Sequence, residues 1–204
     1  MTHFSTDFVF DGSKPAPYIE ADPAGPINVS GTSKLAGELR VLAASPEHLV
    51  VRVSWLYGSD KPAFPERLIG NACAEKEVCL PSDEIGCPTH TGDIAELLRP
   101  LIFAPDGPVG GVIHLCNSGR CTWQERGQHC VDIARAAGLP IKAARAGASS
   151  LDSIAAFVAK RPPNSAMSTG RYTRSTSIEP QPWQEARAIY LLQHKLYNSA
   201  PAIA

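Results

Sequence analysis

The amino-acid sequence predicts an α/β protein, a doubly wound parallel sheet flanked by helices with a small lobe beside it. Three observations predict this. Strand-like and helix-like segments alternate along 204 residues, the order that builds a parallel sheet with helical crossovers. The run 48–56 is nearly continuous in apolar residues and rich in valine, which suits a strand buried on both faces. The segments between the strand-like runs carry apolar residues at helical spacing and end at glycine or proline.

Each element follows in order. Residues 4–10 alternate hydroxyl with aromatic or apolar groups and read as a short strand, which Asp11-Gly12 closes. Residues 13–26 hold four prolines and a glycine and form a loop. Residues 29–44 place Leu35, Ala36, Leu39, Leu42 and Ala43 on one helical face, with Lys34 and Glu38 one turn apart. The buried strand 48–56 ends at Tyr57-Gly58. Helices are expected at 63–75 and 91–103, a short strand at 78–80, a turn at 105–111 and a strand at 112–116. Thr122-Trp-Gln-Glu125 fits a capping box, and its helix runs to about Ala137, where Gly138-Leu-Pro140 stops it. A small helix is expected at 149–158, broken by Arg161-Pro-Pro163. An amphipathic helix at 183–197 closes the domain, and residues 200–204 fray.

The bulk numbers narrow the function classes. Hydrophobic residues make up 44% and charged residues 19%, with a net charge of -1, ordinary values for a globular domain. No basic stripe marks a nucleic-acid surface, and no apolar run is long enough to span a bilayer. The N-terminal residues lack the basic and apolar regions of a signal peptide, so the cytoplasm is the expected location. Cys73, Cys79, Cys87, Cys116, Cys121 and Cys130 form no Cys-x-x-Cys pair. They read as reduced structural thiols, with no metal site.

Five short motifs remain. They are Ser5-Thr-Asp7 at the end of the first strand; Ser30-Gly-Thr-Ser-Lys34; Arg52-Val-Ser-Trp-Leu-Tyr-Gly58; Asp83-Glu-Ile-Gly-Cys-Pro-Thr89; and Arg161-Pro-Pro-Asn-Ser165. In this order and spacing they resemble the dTDP-4-dehydrorhamnose reductase family of extended short-chain dehydrogenases/reductases, from Phe4 to about Leu192. The resemblance implies the C-terminal part of a Rossmann-like doubly wound sheet plus a small substrate-binding lobe. In that frame 1–58 and 91–116 belong to the core, and 59–90 and 117–204 mainly to the lobe and closing helix.

The resemblance also implies roles. Thr6 offers its hydroxyl to the substrate carbonyl. Lys34 lowers the pKa of a phenol and binds the nicotinamide ribose. The family's catalytic tyrosine, four residues before that lysine, is here Ser30. Serine is shorter and far less acidic than a phenol of pKa about 10, and loss of a general acid slows such a reaction about 10²- to 10⁴-fold. Trp55, Pro88, Thr89 and Arg161 frame the nucleotide-sugar pocket, with Arg161 suited to grip a phosphate. Glu84 stands where the family commonly has glutamine. No Gly-x-Gly-x-x-Gly follows a strand, so the N-terminal nucleotide-binding half is expected to be missing and NADPH or NADH not to be held by this chain alone. Three readings follow: a reductase of nucleotide-linked 4-keto sugars; a non-catalytic relative, like the regulatory subunit of methionine adenosyltransferase; or a degenerate, truncated product. A homodimer, or a partner that supplies the other half, is also expected.

Overall fold

The computed structural model describes residues 1–59, 63–105, 107–154 and 158–194. In chain order the elements are β1 (Thr2–Thr6), α1 (Val29–Ala44), β2 (Leu49–Val53), β3 (Leu56–Tyr57), α2 (Phe64–Ala74), β4 (Val78–Pro81), β5 (Ile85–Gly86), β6 (Thr89–His90) and α3 (Thr91–Ile102). They continue with β7 (Gly111–His114), β8 (Cys121–Thr122), α4 (Trp123–Ala136), β9 (Ala146–Ser149), α5 (Gly170–Thr176) and α6 (Trp183–His194).

The valine-rich run becomes the middle strand of a parallel sheet ordered β1-β2-β7. All five of its residues are buried, because it is covered on both faces. Leu49, Val51 and Val53 point toward α3 and α5, packing with Leu97, Leu101, Ile113 and Tyr172. The alternate Arg52 points to α1, where its Nε and Nη2 donate to the two carboxylate oxygens of Glu38 at 2.9 and 2.7 Å. Both partners are buried, so the pair holds only as a unit. Side-chain alternation thus places helices on opposite faces of the sheet.

The Asn28 side chain accepts from the Gly31 amide and caps α1. A Cβ at Gly31 would lie 2.0 Å from the Phe8 carbonyl oxygen, so only glycine lets the helix start this close to β1. The capping box opens α4 as expected: Glu125 N donates to Thr122 Oγ1, and Thr122 N donates to the Glu125 carboxylate. The lobe is a second core, in which α2, α4 and α6 close over the β4–β9 pair through Leu68, Ile69, Val131, Ala134 and Leu191.

Two expected elements differ. The strand at 4–10 spans Thr2–Thr6 and gives way to a 3₁₀ turn at Asp7–Val9, because Asp7 turns inward to distant hydroxyls. In place of a helix at 149–158, Ala146–Ser149 pairs with β4 and Leu151–Ser153 makes one 3₁₀ turn. Asp83 accepts from Ser150 Oγ and Leu151 N, and this fixes the turn. Residues 155–157 and the end of the closing helix beyond His194 lie outside the described residues. Helix α5 was not anticipated; Tyr172 is its one buried residue, so it carries no apolar period.

Candidate active site

Strands β1 and β2 run parallel, so their C-terminal ends open at the same edge, where open α/β sheets bind ligands. A cleft of about 370 Å³ lies there, lined by Thr6, Asp7 and Phe8 on one side, by Trp55 and Phe64 on another, and by Trp123, Arg126 and Arg161 on the lobe side.

Asp7 is the floor of this corner. It is 3% exposed. Its Oδ2 accepts from Ser54 Oγ at 2.7 Å and Ser165 Oγ at 2.6 Å, and its Oδ1 accepts from Thr6 Oγ1 at 2.9 Å. Burial pushes its pKa up and the three hydroxyls pull it back. Three of the sequence motifs therefore meet at one carboxylate. Thr6 also accepts from the Phe8 amide, so its hydroxyl caps the turn while it faces the cleft.

Trp55 leaves β2 with φ +43°, a left-handed conformation that a bulky residue adopts only under constraint. The ring lies over Gly86, where a Cβ would come 2.4 Å from Trp55 Cε2. It meets the Trp123 ring edge-on at 5.6 Å. Pro88 and Thr89 are both buried. The Thr89 amide donates to the Trp55 carbonyl and Leu56 pairs with Thr89, so Thr89 braces the bend that bears Trp55, and neither Pro88 nor Thr89 is among the residues lining the cleft.

On the lobe side Arg161 pairs with Glu84 at 3.6 Å. Glu84 is wholly buried, and burial pushes its pKa up to about 7 against the opposing pull of Arg161 and Arg126. Arg126, 4% exposed, sits in an aromatic box, its guanidinium 3.7 Å from the Phe64 ring centre, 3.9 Å from Trp123 and 4.4 Å from Trp55. Sequence reasoning missed Arg126 and Trp123, both on α4, and Phe64 on α2. It quoted Asp7, Ser54 and Ser165 within motifs but gave them no joint role.

Ser30 and Lys34 are not among the residues that line this cleft. Both are exposed, on the first turns of α1, and Lys34 Nζ donates to the Phe4 carbonyl at 2.9 Å. Among the described residues no tyrosine lines the cleft. Tyr57 is buried in the lobe core against His90 and Tyr190, and burial raises its pKa. For a dinucleotide, the described residues offer Lys34 but no pyrophosphate cradle. Gly31 is pressed on the Phe8 carbonyl, and a Cβ at Gly37 would meet the His3 ring at 2.9 Å. Neither glycine sits in a strand-to-helix turn open to a phosphate.

The family described as RmlD substrate binding domain matches residues 1–195. The chain belongs to this family. It is 33% identical to dTDP-4-dehydrorhamnose reductase of Sinorhizobium fredii over 191 residues, covering 91% of this chain and 63% of that protein. It is 31% identical to the Escherichia coli enzyme of the same name, covering 90% and 62%. The crystal structure of dTDP-4-dehydrorhamnose reductase from Bacillus anthracis in complex with NADP superimposes with a TM-score of 0.82 at 28% identity, over 94% of this chain and 65% of that one. The chain thus spans less than two thirds of the length of these relatives. The doubly wound, Rossmann-like expectation agrees with this likeness.

Proposed function

We propose that this chain is the substrate-binding part of a reductase that acts on the 4-keto group of a dTDP-linked deoxysugar, with NADPH or NADH as hydride source, in the cytoplasm. The carrying observation is the cleft itself, where a strand-end hydroxyl (Thr6), a tryptophan face (Trp55) and two arginines (Arg126, Arg161) converge. These are the groups that a ketone, a nucleotide-sugar ring system and a diphosphate require. A nicotinamide supplies hydride when bound; its pyrophosphate finds no cradle in the described residues, so no step is derived through it.

The chain's own part is binding and orientation. Thr6 holds the carbonyl oxygen once its hydroxyl rotates away from Asp7, which keeps its bonds to Ser54 and Ser165 meanwhile. Reduction also needs a proton at that oxygen. Ser30 is a poor donor and no phenol among the described residues lines the cleft, which makes proton delivery the slow step. The same two facts favour a second reading, a homologue that binds the nucleotide sugar without reducing it. A partner or second copy that supplies the dinucleotide half belongs to either reading.

Calorimetric titration of dTDP into the chain tests the site. Saturable binding is expected, weakened about tenfold or more by Trp55→Ala, equivalent to about 1.4 kcal/mol, whereas NADPH binds the chain alone weakly or not at all. Absence of dTDP binding, or binding indifferent to Trp55, overturns the assignment.

A further inference from the structure

The hydroxyl that faces the cleft has a single hydrogen, and it is already spent. Thr6 Oγ1 donates to Asp7 Oδ1 at 2.9 Å and accepts from the Phe8 amide at 3.2 Å. Asp7 is 3% exposed. Ser54 and Ser165 both donate to its Oδ2, at 2.7 and 2.6 Å, so Thr6 is the hydroxyl that serves Oδ1. A carboxyl that only accepts has the bonding pattern of the ionised form. The groups that favour its charge are these hydroxyls and its own amide, with no cation among them.

An alcohol and a ketone place opposite demands on this chain of hydrogen bonds. A ligand hydroxyl can donate to the remaining lone pair of Thr6 Oγ1, and Thr6 goes on donating to Asp7. A ketone oxygen only accepts. To reach it, Thr6 must take its hydrogen away from Asp7 Oδ1, and a buried carboxylate oxygen then loses its hydroxyl partner, which is costly. A proton on Oδ1 removes the conflict, because the carboxyl then donates to Thr6. Burial already pushes the Asp7 carboxyl up, which brings that proton within reach. The ionisable groups around Asp7 are Glu84 before β5 and the Cys116 thiol after β7, with Arg126 and Arg161 across the cleft. On α1, Lys34 is bonded to the Phe4 carbonyl and Glu38 to Arg52.

We propose that a 4-keto ligand reverses this chain: Asp7 takes up a proton on Oδ1 and donates it to Thr6 Oγ1, and Thr6 turns its own hydrogen to the carbonyl oxygen. Asp7 is thus a positioning residue that acts through Thr6. It distinguishes a ketone from an alcohol, and it holds a proton one hydroxyl away from the oxygen that reduction must protonate. This rests on the nucleotide-sugar reading above. One O–H bond forms, at Asp7, with its proton drawn from solvent through the cleft that Asp7 lines; the Thr6 O–H only rotates. The sign of the pH dependence follows. Binding of a ketone takes up a proton that binding of the alcohol does not. The preference for ketone over alcohol is therefore full at low pH and falls as pH rises through the Asp7 carboxyl.

The test is calorimetry with dTDP-4-keto-6-deoxyglucose and with dTDP-6-deoxyglucose, its C4 alcohol, in buffers of different ionisation enthalpy from about pH 5 to about pH 8. Both ligands carry the same diphosphate, so proton changes that its charge causes at Glu84 cancel between them. The ketone takes up as much as about one proton more than the alcohol, and the ketone-to-alcohol affinity ratio falls about ten- to a hundredfold across the scan, the size of one unmade buried hydrogen bond. Asp7→Asn reproduces the protonated pattern, its amide nitrogen donating to Thr6 and its oxygen accepting from Ser54 and Ser165. In D7N the extra uptake vanishes, the ratio is flat with pH, and the ketone binds at least as tightly as to wild type at the alkaline end. Thr6→Val also loses the extra uptake. The infrared band of the bound ketone moves up in T6V and stays at its wild-type position in D7N. Equal uptake for the two ligands on wild type, extra uptake that persists in D7N or T6V, or a D7N protein that melts like wild type but binds the ketone more weakly at the alkaline end overturns the proposal. If D7N does not fold, wild type and T6V carry the test. Two ligands that bind with equal uptake leave the nucleotide-sugar reading standing without this inference. If neither binds, that reading falls and the inference with it.

Discussion

At the scale of single residues, the polar groups of this chain divide by how far away their partners lie. Asp7 accepts from Ser54, 47 positions along the chain, and from Ser165, 158 positions along. Each of the three stood in a sequence motif, yet their meeting was not legible, because hydroxyl-to-carboxylate pairing leaves no periodic trace. Ser30 is the opposite case. Its spacing from Lys34 on one helix face was readable at once, since residues four apart on a helix are neighbours. The structure adds that Lys34 bonds the Phe4 carbonyl, which leaves its ammonium committed to β1. Replacing Ser30 by tyrosine puts a phenol one turn from that ammonium. When the dinucleotide half is supplied, in cis or from a partner, reduction of a dTDP-linked 4-keto sugar should rise at least about tenfold, within the usual range of general acid catalysis. A reconstituted protein that is already fast with serine and gains nothing from Ser30→Tyr would show that this position has no part in proton delivery.

At the scale of elements, the short strands β3, β5 and β6 form a bracket for one ring. Residue Trp55 has positive φ, its carbonyl accepts from Thr89, and Gly86 leaves the space that its indole fills. Sequence reading marked Gly86 and Pro88 as turn residues and missed the steric reason for the glycine, which lies in a different motif 31 positions earlier. Gly86→Ala drives a methyl into the indole. Overpacking of this kind costs about 1–3 kcal/mol, and it should displace Trp55 toward solvent. The expected outcome is a lower urea midpoint together with a red-shifted tryptophan emission and weaker dTDP binding. Unchanged emission and affinity would mean that the ring is held by Trp123 and not by this bracket. Helix α4, in contrast, was readable from Thr122 and Glu125 alone, because a capping box is local. That it delivers Trp123 and Arg126 to the cleft depends on how α4 seats on the lobe.

At the scale of the whole molecule, β1 pairs only with β2 among the described residues. The Met1 carbonyl accepts from Leu49 on β2, so by strand alternation the Phe4 carbonyl faces the other, open edge. Lys34 covers that carbonyl, a charged guard of the kind that blunts edge strands. It covers one group only. Phe4 is 42% exposed, and Leu39 and Val29 on the neighbouring α1 are 62% and 86% exposed. Exposed apolar side chains beside an unpaired edge favour association. The 204-residue chain should self-associate through this edge or melt at low temperature. Light scattering over a concentration series, combined with thermal melts, decides it. A concentration-independent monomer melting well above roughly 45–65 °C would contradict the expectation.

The sequence by itself determined the α/β class, the buried valine strand, the start of α1 and α4, and membership of a reductase-related family. These rest on period, capping and motif order, which neighbouring residues carry among themselves. Only the tertiary structure decided that Asp7 gathers three hydroxyls, that Thr89 braces the bend bearing Trp55, that Lys34 turns to the sheet edge, and that Arg126 and Arg161 share the cleft, with Glu84 buried against Arg161. Each joins segments remote in the chain, brought together by helices seated on opposite faces of one sheet and by a lobe closed over its edge. Side-chain pairing at that range is a consequence of packing, and packing is specified by the chain as a whole.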